Sequence, residues 1–287
     1  MAIVAQHFDS SLGRWTHTGW TPGPGHPLEW AVDRVWDFHG MAAAPQERVF
    51  PNGHLELIVQ LDDRYLDVTA SGAVPTPAAC VTGIFSHSAV VQAPRRPCRV
   101  LGVRLRPAGA WALLGHPLWQ LAELTADLGD LLGPVGGELA ERCHGADGGI
   151  ERVRRAVAWL GARLAQPDVP RVDPAVQWVA RRIAESGGTR AIGALRAETG
   201  LTDARLISLF REQVGVTPKR LARIHRFDRA LGLLTRGHDN LATVAQRAGY
   251  FDQPHMNAEF REMAGLTPRG FLAATRYPNS LSLPEPA

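Results

Sequence analysis

The chain has 287 residues, of which 45% are hydrophobic and 21% are charged, and its formal net charge is +3. No segment approaches the roughly 18 consecutive apolar residues of a membrane-spanning helix, and the N-terminus has no basic leader before an apolar run. The three cysteines have no metal-binding spacing, so free thiols are expected rather than a disulfide framework. These features predict a cytoplasmic protein of two or three folded units with no membrane partner.

The N-terminal part has mixed patterns. Residues 55–61 alternate between apolar and polar side chains, and residues 100–105 are a second candidate strand, as in a half-buried sheet. After Pro107 the apolar spacing becomes helical. It predicts helices over residues 121–132, 138–143 and 150–164. We therefore expect a mixed sheet-and-helix domain over residues 1–166.

Three prolines between residues 167 and 174 mark a boundary. Proline fixes its own φ and restricts the residue before it, so residues 167–173 are predicted to be an extended linker. Asp173 and a following proline then open the first helix of a second domain, which spans residues 174–277. Residues 278–287 are assigned as a C-terminal tail.

The second domain contains a repeated motif. FREQVGVTP at residues 210–218 is echoed by FREMAGLTP at residues 260–268, and a glycine precedes each copy, at Gly200 and Gly249. Such an echo is typical of a duplicated helical unit.

Helix boundaries follow from capping residues. Side-chain acceptors stand where helix starts need them, at Thr202, Thr217, Asp252 and Thr267. The predicted helices run over residues 203–214, 218–235, 241–248 and 253–264. Two helix-turn-helix units therefore share one connecting helix.

Residues 173–277 resemble the double helix-turn-helix domain of the AraC/XylS family of bacterial transcription regulators. The most specific part is VAQRAGYFDQPHMNAEF at residues 244–260, followed by GLTP at residues 265–268. The resemblance implies an all-α module that binds double-stranded promoter DNA, typically as an activator, with RNA polymerase as a further partner.

The resemblance also indicates which side chains face DNA. In the second unit it places Gln253, His255 and Asn257 toward the major groove. In the first unit the corresponding residues are Ala204, Ile207 and Ser208, with Arg205 beside them and Thr202 at the helix start. Asn and Gln can pair with adenine through two hydrogen bonds, whereas Ala and Ile contact thymine methyl groups. The second helix is therefore predicted to contribute more hydrogen-bonded specificity, on segments roughly 10 bp apart.

Charge is distributed unevenly between the halves. Residues 174–277 contain 16 basic and 9 acidic residues, a net charge of +7, whereas the rest of the chain has a net charge of −4. A basic module joined to a mildly acidic one suits phosphate binding at one end only.

The N-terminal domain has a resemblance of its own. Residues 34–38, 50–58 and 102–109 are similar to a domain that often precedes AraC-type modules. AraC-type regulators commonly sense a small molecule or form a homodimer through this part. Trp30, Trp36 and Trp111 are the candidate ligand-binding residues, and the alternative is that they fill the core of the sheet. A domain used only for protein contact is a third hypothesis.

An enzyme is a further alternative, because AraC-type modules also occur fused to thiol-dependent domains. Cys80 or Cys98 would then be the nucleophile, but neither has the local setting for it, since the run before Cys80 is turn-rich and apolar and three cysteines cannot form the cluster of four that holds a repair zinc. No phosphate loop, dinucleotide fingerprint or nucleophile elbow occurs. We expect no catalytic residue, metal or cofactor. The sequence predicts an α+β transcription regulator.

Overall fold

The computed structural model describes residues 2–10, 13–42, 44–237, 239–274, 276–277 and 280–283. Its strands, in chain order, are β1 Val4–Ser10, β2 Gly13–Trp20, β3 Val32–Gly40, β4 Gln46–Val49, β5 Leu55–Gln60, β6 Leu66–Thr69, β7 Gly72–Pro75, β8 Ala79–Thr82, β9 Ala89–Gln92, β10 Cys98–Leu105, β11 Thr125–Asp127, β12 Arg276–Tyr277 and β13 Ser280–Leu283.

Two antiparallel sheets form the N-terminal domain. The first has the strand order β1-β2-β3-β10-β5-β8-β11 and the second β12-β13-β4-β9-β6-β7. Both predicted strands lie side by side in the first sheet, where Val103 of β10 is opposite Leu57 of β5. Leu55, Leu57 and Val59 are buried, as the alternation predicts. The C-terminal segment assigned as a tail contributes β13, which pairs with β4, whereas residues 278, 279 and 284–287 lie outside the described residues.

Four α-helices of the N-terminal domain lie between β10 and the linker. They are α1 Pro107–Leu114, α2 Leu128–Leu132, α3 Pro134–His144 and α4 Gly148–Leu164, with a short 3-10 helix at Leu118–Leu121. The predicted helix over residues 121–132 is wrong for its first half. Glu123 adopts a left-handed backbone conformation with φ of 62°, which breaks a helix there, and β11 then pairs with β8. Asp127 accepts a hydrogen bond from the Gly129 N–H and so begins α2 only at residue 128.

A buried ion pair joins α4 to the first sheet. The Arg152 guanidinium donates to both carboxylate oxygens of Asp37 in β3, at 2.5 and 2.9 Å, and both side chains are at most 2% exposed. Gly149 makes this approach possible, because a Cβ atom there would lie 2.5 Å from the Asp37 carboxylate. Burial of two charges is tolerated only with this complete hydrogen bonding.

Residues 167–173 lead from α4 to the second domain and contact both halves of the chain. Trp111 Nε1 of α1 donates to the Arg171 carbonyl oxygen at 3.3 Å, and the Asp173 N–H donates to Gln213 Oε1 at 2.8 Å. The linker is therefore held against the folded domains by specific hydrogen bonds.

The second domain is helical. Its helices are α5 Pro174–Glu185, α6 Ile192–Thr199, α7 Asp203–Val214, α8 Pro218–Arg236, α9 Leu241–Ala248, α10 Gln253–Ala264 and α11 Pro268–Ala273. Phe227 of α8 lies at the centre, with its ring 5.1 Å from that of Phe260 and 6.2 Å from that of Phe50 in the N-terminal domain. The hydrophobic core thus continues from one domain into the other. Among the described helices, none is both long and apolar enough to cross a membrane.

Candidate nucleic-acid interface and sheet cavity

Both helix-turn-helix units have the caps that the sequence predicts. Thr202 Oγ1 accepts from the Arg205 N–H at 3.2 Å, and Asp252 Oδ1 accepts from the His255 N–H at 2.8 Å. The preceding helices end at Gly200 and Gly249, which have φ values of 71° and 88°. Glycine adopts this left-handed conformation without the steric cost of a Cβ atom. Helices α7 and α10 therefore start at defined positions and angles.

One side of each of these helices is buried. Leu206 and Phe210 of α7, and Met256 and Phe260 of α10, have at most 2% of their surface exposed. This fixes the opposite sides as the ones that face outward.

The outward face of α7 carries four exposed residues that the sequence analysis assigned to DNA. They are Ala204, Arg205, Ile207 and Ser208. Part of this face forms one wall of a groove of about 670 Å³, and Pro117 and Trp119 of the N-terminal domain form the other wall. The first predicted reading face is thus partly enclosed by the N-terminal domain.

The face of α10 is arranged differently. His255 is exposed, whereas Gln253 and Asn257 are half-buried. The His255 ring packs edge-on against Tyr250 and lies 3.7 Å from the buried Glu259 carboxylate. Asn257 Oδ1 points inward and has no hydrogen-bond partner among the described residues. Its carboxamide must turn to present both polar atoms to a base edge.

A basic concave surface of about 540 Å³ lies between the two units. Its positively charged lining residues are Arg190, Lys219, Arg223 and Arg226. Glu259 holds two of them, with Arg223 Nε at 2.7 Å and Arg226 Nη2 at 3.3 Å, and Lys219 is exposed. Such a surface suits a phosphate. These residues are not evident as a group from the sequence, because tertiary packing brings them together from separate elements, and only the net positive charge of residues 174–277 points to such a surface.

We expect Asn257 and Arg205 to contribute differently to DNA recognition. If Asn257 pairs with a base as predicted, Asn257→Ala should flatten preference at one or two base pairs by roughly 1–3 kcal/mol. Arg205→Ala should weaken binding to all sequences nearly equally, because a phosphate contact carries no base information. Competition binding with single-base operator variants measures both effects. A preference profile reshaped by Arg205→Ala and unchanged by Asn257→Ala would reverse these roles.

A cavity of about 630 Å³ lies between the two sheets of the N-terminal domain. Of the three candidate tryptophans, Trp36 lines it. Trp30 lies at the surface with 37% exposure, and Trp111 packs against the hydrophobic core and hydrogen-bonds the linker. The three therefore do not meet in one pocket. Gly102 allows the Trp36 indole to lie across β10, because a Cβ atom there would be 2.1 Å from the ring.

The cavity wall contacts the connecting helix α8. Glu123, which lines the cavity, accepts from Arg220 Nη2 at 2.8 Å and from the Ser86 N–H at 3.0 Å. Arg220 also donates to Ser86 Oγ. Arg220 lies in the first turn of α8, so the cavity wall and the connecting helix share one ion pair.

The same wall contacts the end of α10. Ser88, another cavity residue, donates from its N–H to the Met263 carbonyl oxygen at 2.6 Å and from Oγ to the Ala264 carbonyl oxygen at 3.0 Å. Arg48 Nη1 donates to Ser88 Oγ at 3.0 Å and so fixes the serine. The loop of residues 86–88 therefore joins the cavity to both α8 and α10.

The three cysteine thiols are buried and free. Burial raises the pKa of Cys80 to about 12 and those of Cys98 and Cys143 to about 11. A thiol that stays protonated near neutral pH is a poor nucleophile. The part of the chain that the structure describes contains no group of three or more His, Cys, Asp or Glu side chains that could hold a metal ion.

The chain is similar in fold to solved structures that include those of AraT and ToxT. The C-terminal domain of AraT, a response regulator from Geobacillus stearothermophilus, has 20% identity and a TM-score of 0.33 over 35% of this chain and 84% of its own. An apo point variant of ToxT from Vibrio cholerae has 11% identity and a TM-score of 0.46 over 83% of this chain and 96% of its own. ToxT has also been solved with an unsaturated fatty acid, at 11% identity and a TM-score of 0.43, covering 83% of this chain and 93% of that one. No curated protein matches the chain.

Two domain families match the sequence. A helix-turn-helix domain family covers residues 195–274, and a domain of unknown function, DUF6597, covers residues 21–127. The first match spans both capped helix pairs, and the second spans most of the two sheets. The chain therefore joins a C-terminal helix-turn-helix domain of AraC type to a preceding DUF6597 domain, and the first of these supports a DNA-binding transcription regulator.

Proposed function

We propose that this regulator reads promoter DNA through the outward faces of α7 and α10 and that a small molecule in the sheet cavity controls that binding. In this proposal residues 1–166 are the sensing domain, residues 167–173 the linker and residues 174–277 the DNA-binding domain. The readers of bases and backbone are those assigned from the sequence: Thr202, Ala204, Arg205, Ile207, Ser208, Gln253, His255 and Asn257.

The contact between the cavity wall and the DNA-binding domain supports this proposal best. Ser88 and Glu123 line the cavity and also bond to α10 and α8. A ligand that displaces either residue alters contacts with the helices that position both units. A ligand can shift an equilibrium only through different affinities for two states, and a ligand that displaces Ser88 or Glu123 would favour a state in which these contacts are broken.

We further propose that the basic concave surface binds the phosphate backbone of the DNA. Lys219 and Arg190 lie between the two units, where a duplex touching α7 and α10 presents phosphates. These contacts set the register of the protein on DNA without carrying sequence information. We assign Lys219 to this role because Lys219 is exposed, whereas Arg223 and Arg226 are paired with the buried Glu259 carboxylate.

The test begins with DNA fragments captured from the genome by the full-length protein. A metabolite screen by thermal shift then identifies compounds that raise the melting temperature, as any ligand of the folded state must. Each such compound is expected to change the affinity for the captured DNA. Trp36→Ala should reduce the thermal shift, whereas Arg220→Ala should keep the shift and reduce the effect on DNA binding.

Two results would contradict the sensing role. The first is a compound that changes DNA affinity equally in the wild type and in Arg220→Ala, since the ion pair would then transmit nothing. The second is the combined finding that no compound raises the melting temperature of the full-length protein and that removal of residues 1–166 abolishes self-association. That result would identify the N-terminal domain as a homodimerisation module.

A further inference from the structure

We propose that Phe251, in the turn before α10, contacts the 5-methyl group of a thymine in the major groove. This inference rests on the proposed reading of DNA by α7 and α10. It adds a specificity-determining residue that lies outside the recognition helices themselves.

The Phe251 side chain lies almost completely in solvent. It is 93% exposed, whereas Val4, the next most exposed large hydrophobic residue among those that the structure describes, is 55% exposed. Single apolar side chains are common on protein surfaces, but this phenyl ring leaves nearly all of its apolar area in water. A partner that covers the ring therefore gains the free energy of removing that area from water.

The turn that carries Phe251 is longer than its counterpart in the first unit. There the capping residue Thr202 follows Gly200 by two positions, whereas the cap Asp252 follows Gly249 by three. The helices that begin at these caps, α7 and α10, both have 12 residues. The second unit therefore has one extra residue, and it lies in the turn.

The extra residue is the exposed one. Tyr250, which follows the turn glycine, is 5% exposed, and its ring centre lies 5.1 Å from the guanidinium carbon of Arg226. Leu201, which follows the glycine of the first turn, also packs against the hydrophobic core. Phe251 thus has no counterpart in the first turn, and its exposed ring contributes little to the packing of its own unit.

The position of Phe251 indicates DNA as the partner. The residue directly precedes the Asp252 cap at the N-terminal end of α10, and the N-terminal residues of a recognition helix are those that contact base edges. His255, in the first turn of the same helix, is exposed and lines the basic concave surface together with Lys219. A protein bound over Phe251 would compete for this face with the duplex, whereas DNA covers the ring and the basic surface at once.

Thymine is the base that an apolar side chain distinguishes. Its 5-methyl group projects into the major groove, and none of the other three standard bases has one, so a phenyl ring reads it without a hydrogen bond. The neighbouring Gln253 can pair with adenine through two hydrogen bonds. We therefore expect A·T pairs in the segment that α10 contacts.

Replacement of thymine by uracil tests this inference, because uracil lacks only the 5-methyl group. The probe is the captured genomic duplex that the full-length protein binds most tightly, with each thymine replaced in turn by deoxyuridine. One replacement in the segment under α10 is expected to weaken binding by about fourfold, the factor for one methyl group removed from water. Phe251→Ala should bind the unmodified duplex more weakly by at least that factor and should no longer respond to the replacement.

Two further variants serve as controls. Ile207→Ala, on α7, should remove a response to uracil in the other segment and keep the response that depends on Phe251. Val74→Ala, at an exposed position of β7, should change neither response. Because the Phe251 ring is exposed, Phe251→Ala should also leave the melting temperature unchanged.

A uracil response that Phe251→Ala leaves intact would overturn the thymine contact. So would a wild-type protein that responds to uracil only in the segment governed by Ile207, or a loss of affinity in Phe251→Ala with no change in the uracil profile. The DNA-reading proposal is judged separately by Asn257→Ala, so it stands if the uracil response alone is missing. Absence of binding to every captured duplex would remove both.

Discussion

Replacing Arg152 with methionine is expected to lower the free energy of unfolding of the full-length protein by about 3–5 kcal/mol. The variant leaves the Asp37 carboxylate buried beneath α4 without its cation, and Asp37 is 1% exposed. A buried charge without a partner costs far more than the loss of one hydrogen bond. Denaturant unfolding, followed by the fluorescence of the N-terminal tryptophans, measures the effect.

The control variant removes the cation of an exposed ion pair, so that its effect on the free energy of unfolding can be compared with that of the buried pair. Arg182 pairs with Glu185 on the surface of α5, where both side chains are more than 40% exposed. Arg182→Met should therefore change stability by no more than about 1 kcal/mol. Combining Arg152→Met with Asp37→Leu should recover much of the loss, since no lone charge remains. A cost below about 1 kcal/mol for Arg152→Met would show that water reaches the Asp37 carboxylate.

A fragment of residues 168–287 is expected to fold alone and to lose DNA affinity by about a thousandfold or more between roughly 50 and 200 mM salt. Phe210, Phe227 and Phe260 supply much of its core, although Phe227 also contacts Phe50 of the N-terminal domain, and each of its helices except α6 begins with a side-chain cap. The loss arises because each neutralised phosphate releases a counterion. A drop of that size corresponds to about six or more phosphate contacts.

Titration of the fragment at several salt concentrations gives this slope. Lys219→Gln removes one proposed phosphate contact and should reduce the slope by about one. Arg181→Gln is the matched control, because Arg181 is 61% exposed on α5 and lies outside the basic concave surface. Binding that is absent or independent of salt would contradict the DNA-binding assignment itself.

The helical domain could be predicted closely because its boundaries are set by local chemistry. Thr202, Thr217, Asp252 and Thr267 each accept a backbone N–H in the first helical turn, as the capping pattern requires. The glycines that end the helices adopt positive φ. Each of these interactions spans at most a few residues, so the sequence alone contains the information.

The sheet domain could be predicted only in part, because its decisive contacts are not local. The second sheet is built from strands of two to four residues, and the residues that line the cavity include the charged Glu47 and Asp67, so apolar alternation does not mark its inner face. The Arg152 pair joins residues 115 positions apart. The sequence predicts only β5, whose residues partly alternate, and β10, which is mostly apolar and buried.

Helix α8 sets the distance between the two recognition helices, and the N-terminal domain contacts it at both Arg220 and Phe227. If residues 1–166 sense a ligand as proposed, the signal reaches the part that the two units have in common, in addition to the direct Ser88 contact with α10. A change at Arg220 or Phe227 is then expected to affect α7 and α10 together. Affinity for the two adjacent DNA segments should consequently rise or fall together, and a state that holds one segment while releasing the other is not favoured.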